Sequence, residues 1–265
     1  MPMYQRELKI AVGAARRAGD LLLRMSWRKL RVSYKSPIDL VTTADRASEA
    51  LILSIIRRSF PDDDIMAEES RDQRTPSTRR WIIDPLDGTT NFAHGFPVWC
   101  VSIAFEEQGV VRAGAVYNPN LKEMFTAARG GGAFLNGRRI RVSGQRELVR
   151  SLLATGFPYD VHTSREDNLN HFRRFIKRAQ AVRRPGSAAI DLAYLACGRF
   201  DGFWELKLKP WDAAAASLMV SEAGGKVTDF QGRRHSIYFP ECLAANRHLH
   251  KKMLEVISKP KGGMK

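Results

Sequence analysis

Asp84 and Asp87 close an apolar run in W-I-I-D-P-L-D-G-T-T-N-F (residues 81–92) and stand directly before a glycine and two threonines. Pro85 biases Asp84 toward an extended backbone and Gly88 permits a turn that other residues resist, so the two carboxylates can converge. Like charges that approach repel and raise one pKa unless a cation lies between them, and hard divalent cations held by carboxylate oxygens are the usual resolution. The backbone carbonyl of Leu86 could complete part of such a shell. Thr89, Thr90 and Asn91 are placed to cap a following helix, whose amides and positive dipole end would attract a phosphate. The same D-x-x-D-G pattern also occurs as a ligand-free Asx turn, so the turn alone does not decide the matter.

Two further acidic segments bear on it. A-E-E-S (residues 67–70) ends one short strand shortly before the strand at residues 81–83, and neighbouring strands would bring Glu68 beside Asp84. P-W-D-A-A-A-A-S-L-M-V-S-E-A-G-G (residues 210–225) puts Asp212 at a helix start, ahead of small alanines that allow close packing and a Gly-Gly pair that can end the helix. A plain N-cap is the structural alternative for Asp212.

The elements that must position these acids follow from periodicity. Residues 4–30 carry Leu8, Val12, Ala15, Leu22 and Met25 near helical spacing, and residues 44–60 form a second helix with Leu51, Ile55 and Ile56 inward, stopped by Pro61. Strands at 65–67 and 81–83 precede β-rich segments at 98–107, 110–119 and 122–129, separated by turn residues, which predicts an antiparallel meander. Asn136-Gly137 marks a hairpin. Beyond residue 151 strands and helices alternate: strands at 152–155 and 202–206, helices around 165–180, 187–198 and 212–223, and a last helix after Asn246. Residues 259–265 read as a loose tail. A strand-rich middle with flanking helices predicts a layered α+β sandwich.

With 265 residues the chain is long enough for a large core, and 44% hydrophobic against 27% charged residues is the balance of a soluble protein. No long apolar run or signal-type amino terminus is present, so a cytoplasmic protein without a membrane segment is expected. Cys100, Cys197 and Cys242 form no C-x-x-C pair and are expected to be free, buried or half-buried thiols. The net charge of +15 raises contact with phosphate-rich partners, with basic residues dense at 16–35 and 171–184; solvated helix faces explain the same excess. No P-loop, H-E-x-x-H or G-x-S-x-G element competes for the chemistry.

A-E-E-S, D-P-L-D-G-T-T-N-F and W-D-A-A-A-A-S-L-M-V-S-E-A-G-G together resemble the hallmark segments of the inositol monophosphatase family. S-P-I-D-L-V-T-T-A-D (residues 36–45) and G-S-A-A-I-D-L-A-Y-L-A-C-G-R-F-D-G-F-W-E (residues 186–205) resemble its bacterial inositol-1-monophosphatase branch, and the likeness runs through most of the chain. It implies a single domain over residues 1–265, with an α+β part to about 145 and an α/β part from 146 to about 258, built as a five-layer αβαβα sandwich. It also implies Mg²⁺-dependent hydrolysis of a small phosphate monoester, Li⁺ sensitivity and a homodimer. By the same resemblance Glu68, Asp84 and the Leu86 carbonyl hold one Mg²⁺, and Asp84, Asp87 and Asp212 a second. Thr89 with Asp45 orients the attacking water, while Gly88, Thr89 and Thr90 cradle the phosphate. Glu205, Gly186, Ser187 and Ala188 line the substrate pocket, with Asp212 at its edge; Glu205 could instead pair with Arg199 or Lys207. Arg183 and Arg184 face either substrate or a second copy. The linker at residues 71–80 is shorter than in animal members, which leaves a third Mg²⁺ near Glu68 open. His94 reads as a surface or capping side chain. The expected substrate is myo-inositol 1-phosphate, with histidinol phosphate, fructose 1,6-bisphosphate and adenosine 3′,5′-bisphosphate as alternatives within the family. Binding of RNA or the transcription machinery through the basic helices is the alternative outside it.

Overall fold

The structure, a computed structural model, describes residues 4–26, 32–36, 39–70 and 77–258. The chain opens with α1 (Gln5–Met25), which ends before the expected residue 30; residues 27–31 lie outside the described residues, as do 71–76 of the linker and the tail at 259–265. A small antiparallel ribbon follows, β1 (Val32–Ser36) on β2 (Asp39–Thr42), and leads into α2 (Thr43–Ser59). Thr42 and Asp45 form a capping box at the start of α2, the Asp45 carboxylate accepting the Thr42 N–H at 2.8 Å. Small residues at Ala11, Ala14, Ala15 and Ala18 let α1 lie close to its sheet. At Gly19 a Cβ would stand 2.5 Å from the Tyr117 ring.

Among the described residues the first large sheet has seven strands, joined in chain order. β3 (Asp64–Ala67) runs parallel to β4 (Arg79–Asp87), α3 (Thr89–Ala93) makes a short turn of helix, and β5 (Cys100–Glu107), β6 (Val110–Asn118) and β7 (Glu123–Ala128) continue as the expected antiparallel meander. β8 (Gly132–Leu135) and β9 (Arg138–Arg139) close it through Asn136-Gly137, whose φ values of 49° and 79° are those of the predicted hairpin turn. One difference matters for function. β4 does not stop at Ile83 but runs on to Asp87, and its pairing with β5 breaks register between Asp84 and Asp87. Asp84 and Asp87 stay paired, opposite Ser102 and Cys100, and the extra residue between them brings the two carboxylates toward one side of the sheet at its end.

The second sheet is built from β10 (Leu152–Thr155), β11 (Ala181–Arg183), β12 (Gly202–Leu206), β13 (Lys226–Thr228) and β14 (Glu241–Ala245), in the order β11-β10-β12-β14-β13. Between them come α4 (Leu169–Ile176), α5 (Ala188–Ala196) and α6 (Pro210–Glu222), and α7 (His250–Ile257) ends the fold. The helix expected at 165–180 is thus half that length, residues 177–180 turning toward β11. Strands β13 and β14 were not expected, because K-V-T and E-C-L-A-A are short runs without alternation.

The layers are α1 and α2, the seven-stranded sheet, α5 and α6, the five-stranded sheet, and α4 and α7. This is the expected αβαβα sandwich. α6 is apolar on nearly all sides because sheets cover both of its faces, and its alanines keep the layers close. Gly114 on β6 meets α6 so tightly that a Cβ would stand 2.9 Å from the Ala215 Cα. Among the described residues no helix is long and apolar enough to cross a membrane.

Candidate active site

The irregular end of β4 faces the start of α6 and the end of β3. Parallel pairing sets Ala67 opposite Ile83 and the Glu68 N–H bonds to the Ile83 carbonyl at 3.2 Å, so Glu68 emerges beside Asp84 as expected. Asp84 is 2% exposed and accepts the Leu86 N–H at 3.0 Å. Burial, followed by the charges of Glu68, Asp87 and Asp212, pushes its carboxyl well above the usual carboxylate range. Asp212 is raised in the same way, by burial and then by Asp87, while the Lys209 N–H, donating at 2.7 Å, opposes the shift. Asp212 is therefore not the N-cap of α6. That place belongs to Lys209, and Asp212 sits in the first turn with its carboxylate folded back.

Asp87 is reached from the other half of the chain. Its Oδ2 accepts the Ser187 hydroxyl at 2.6 Å and the Ala189 N–H at 2.7 Å, with the Cys100 thiol at 3.9 Å. Burial raises its pKa to about 6 against these donors. Ser187 also caps α5, accepting the Ile190 N–H.

Gly88 begins α3 with φ 94°, and a Cβ there would lie 2.9 Å from the Val98 carbonyl, so the position requires glycine. Thr89 does not cap α3. Its hydroxyl lies 2.9 Å from Asp45 Oδ1 and 3.0 Å from the Leu86 carbonyl, and the Asn91 amide donates to the carbonyls of Val98 and Pro185. Thr90 is exposed at the mouth of the site. His94 is a surface residue whose N–H closes α3, as expected. The three cysteines are free, with Cys100 and Cys242 buried and Cys197 half-buried.

Two adjoining cavities open here. One of about 210 Å³ is bordered by Glu68, Asp84, Leu86, Asp87, Thr89 and Asp212. The other, about 90 Å³, is bordered by Gly186, Ser187, Ala188, Asp191, Arg184 and Glu205. Every residue expected at the site therefore reaches one cavity or the other, except Asp45, which acts from behind Thr89. Glu205 does not take either of its alternative partners: Arg199 pairs with Glu123, and Lys207 with Asp160 at 2.7 Å. Burial and the charge of Asp87 instead push Glu205 up to about 8, with Arg184 opposing. Arg184 thus faces the pocket, while Arg183 is exposed and donates to the Val182 carbonyl.

Sequence reasoning missed Gly156, Tyr159, Asp191 and Lys209. Gly156 makes room for Glu205, since a Cβ there would lie 2.1 Å from its Oε1. Tyr159 borders both cavities, Asp191 contributes a buried oxygen without a hydrogen-bond partner, and Lys209 lies beside Asp212. Lys209 is local, three positions before Asp212, whereas only the fold brings Gly156, Tyr159 and Asp191 to the acids.

The donor set is four carboxylates and a carbonyl, all hard oxygens, crowded enough to raise one another's pKa, which is what a divalent cation neutralises. Each of Asp84, Asp87 and Asp212 is turned onto a backbone N–H, and among the described residues no three acid, His or Cys side chains stand close enough to clasp an ion as oriented.

The sequence model of the inositol monophosphatase family matches residues 3–260. An inositol-1-monophosphatase from Mesorhizobium japonicum is 42% identical over 256 residues, covering 96% of each chain. A Nus factor SuhB from Pseudomonas aeruginosa is 44% identical over 257 residues, covering 94% of this chain and 95% of its own. The solved structure of an inositol monophosphatase from Anabaena superposes with a TM-score of 0.88 at 42% identity, over 96% of this chain and 95% of that one.

Proposed function

The chain belongs to the inositol monophosphatase family and is a phosphatase of that family, and from that premise we propose that it hydrolyses myo-inositol 1-phosphate and related small phosphate monoesters with Mg²⁺. The observation that carries this reading is the convergence of Glu68, Asp84, Asp87 and Asp212, from three separate segments, around a cleft also bordered by Thr89, whose hydroxyl Asp45 receives from behind. Glu68, Asp84 and the Leu86 carbonyl would hold one cation, and Asp84, Asp87 and Asp212 another. The ions would supply neutralisation of the phosphate dianion and water of lowered pKa.

The chain's own residues do the rest. Asp45 accepts the Thr89 hydroxyl proton, which leaves the Thr89 oxygen lone pairs free to accept a hydrogen bond from an attacking water and aim it. Asp45 itself is held by the Thr42 N–H and hydroxyl, so this direction is preset. Gly88, Thr89 and Thr90 bring backbone and hydroxyl donors to the phosphate side, and the missing side chain at Gly88 allows close approach. On the other side Glu205, with Gly186, Ser187 and Ala188, would hold substrate hydroxyls; an acid poised at about 8 is protonated over much of the neutral range and can both donate and accept.

Phosphate release from inositol 1-phosphate, histidinol phosphate, fructose 1,6-bisphosphate and adenosine 3′,5′-bisphosphate, with Mg²⁺ and with chelator, tests it. A Mg²⁺-dependent preference for inositol 1-phosphate is expected; preference for another ester moves the substrate, and activity in chelator removes the metal.

Relatives bearing the name Nus factor SuhB favour a second reading, contact with RNA or the transcription machinery through exposed basic residues such as Arg16, Arg17 and Arg173. Such binding should weaken with salt and survive Asp84→Asn. Its absence at moderate salt ends that reading. We propose, from the family resemblance alone, that the protein works as a homodimer in the cytoplasm; sedimentation of the metal-loaded protein as a monomer would refute the first part.

A further inference from the structure

α2 carries three polar residues, Asp45, Ser48 and Glu49, at spacings that place them on one face, and all three are buried, with exposures of 0%, 0% and 4%. Each reaches a different segment of the site. Asp45 meets Thr89, and the Ser48 hydroxyl donates to the Pro85 carbonyl at 2.7 Å, holding the irregular end of β4. Glu49 takes the third segment. Its Oε2 accepts the Glu69 N–H at 2.9 Å and its Oε1 accepts the Ser70 hydroxyl.

We propose that Glu49 is the positioning residue for Glu68, fixing the end of β3 so that the Glu68 carboxylate is presented to the cation; this rests on the reading that Glu68 binds it. The reason lies in the backbone. β3 ends at Ala67, and the Glu68 N–H makes the last bond to β4. Just past the end of the strand, Glu49 receives the next N–H and the next hydroxyl. A buried carboxylate is costly unless donors compensate it, and charge-assisted bonds are stronger than neutral ones, so the two donors hold tightly where they meet it. An apolar side chain at position 49 would remove both of these anchors from the segment after Glu68.

Manganese binding to the chelator-treated full chain, followed by calorimetry with Mn²⁺ alone, separates this role from a merely structural one. Glu49→Ala should weaken binding by about tenfold or more, the usual scale for losing a residue that orients a metal ligand. Phosphate release should fall at limiting Mg²⁺ and recover substantially at saturating Mg²⁺. Glu49→Gln should stay within about threefold of the parent, because its amide oxygen still accepts from Glu69 while the Ser70 hydroxyl turns to accept from the amide. Ser70→Ala removes one donor without burying a new gap, and should shift affinity in the same direction by less, which keeps the test open if Glu49→Ala does not fold. Parent-like Mn²⁺ affinity in Glu49→Ala or, failing that variant, in Ser70→Ala overturns the proposal when Glu68→Gln weakens binding. Parent-like affinity in Glu68→Gln overturns it as well, by removing Glu68 from the metal site.

Discussion

Ser187 donates its hydroxyl to Asp87 at 2.6 Å across 100 positions of sequence, and so ties the start of α5 to the end of β4. The same oxygen accepts from Ile190 as the helix cap. Two jobs thus fall on one hydroxyl, and both are lost together in Ser187→Ala. The variant should unfold more easily in urea by about 1–3 kcal/mol, combining a lost cap with a buried hydrogen bond to a charged group. A loss below about 0.5 kcal/mol would show that the Ala188 and Ala189 N–H groups hold Asp87 without it.

Asp84 stores repulsion in the metal-free protein. Asp84→Asn keeps an acceptor for the Leu86 N–H but removes the charge that faces Glu68, Asp87 and Asp212. The chelated variant should therefore melt higher than the chelated parent, while its kcat falls at least about a hundredfold, the scale of one lost electrostatic stabiliser. A lower melting temperature would contradict the first half, and near-normal turnover the second.

Gly156→Ala should act on substrate choice rather than on the metals. Its Cβ would fall 2.1 Å from Glu205 Oε1, so the acid must move. KM for inositol 1-phosphate should rise by about tenfold to a hundredfold, since misplacement of a substrate-positioning group by an ångström can cost up to about a hundredfold. KM for p-nitrophenyl phosphate, which offers no hydroxyls to Glu205, should change much less. Equal changes for both esters would remove Glu205 from hydroxyl recognition.

Stability should respond to pH with two opposite signs. Glu205 is raised from 4.5 to about 8, so its neutral form favours the fold: its contribution is complete below pH 4.5 and is lost as pH rises through 8. His235 and His250 are lowered from 6.5 to about 4, chiefly by burial, so their contribution is complete above pH 6.5 and is lost as pH falls through 4. Urea unfolding of the chelated protein should show Glu205→Gln flattening the alkaline fall and His250→Gln flattening the acid one. His250 bonds to Thr228 at 2.9 Å, and glutamine preserves a polar partner there. An acid limb unchanged in His250→Gln would assign that limb to other groups.

The order of helices, the antiparallel meander and the Asn136-Gly137 hairpin were legible because each depends on neighbours in sequence: helical spacing of apolar residues, alternation, and a turn that demands positive φ. The acids of the D-P-L-D-G turn were legible for the same reason, since proline and glycine constrain their own segment. Short strands such as β13 and β14 were not, because three to five residues carry too little periodicity to distinguish a strand from a loop.

The sequence by itself determined the chemical inventory: four carboxylates, a threonine with an aspartate to turn it, and glycines where backbone must approach closely. Tertiary structure alone decided how that inventory is aimed. The register break in β4, the grip of Ser187 on Asp87, the room that Gly156 leaves for Glu205 and the three anchors on α2 all join residues far apart in the chain, and their geometry depends on how two sheets and a buried helix pair pack together. Local patterns specify which groups a segment carries, whereas distances between segments are set only when the whole core closes.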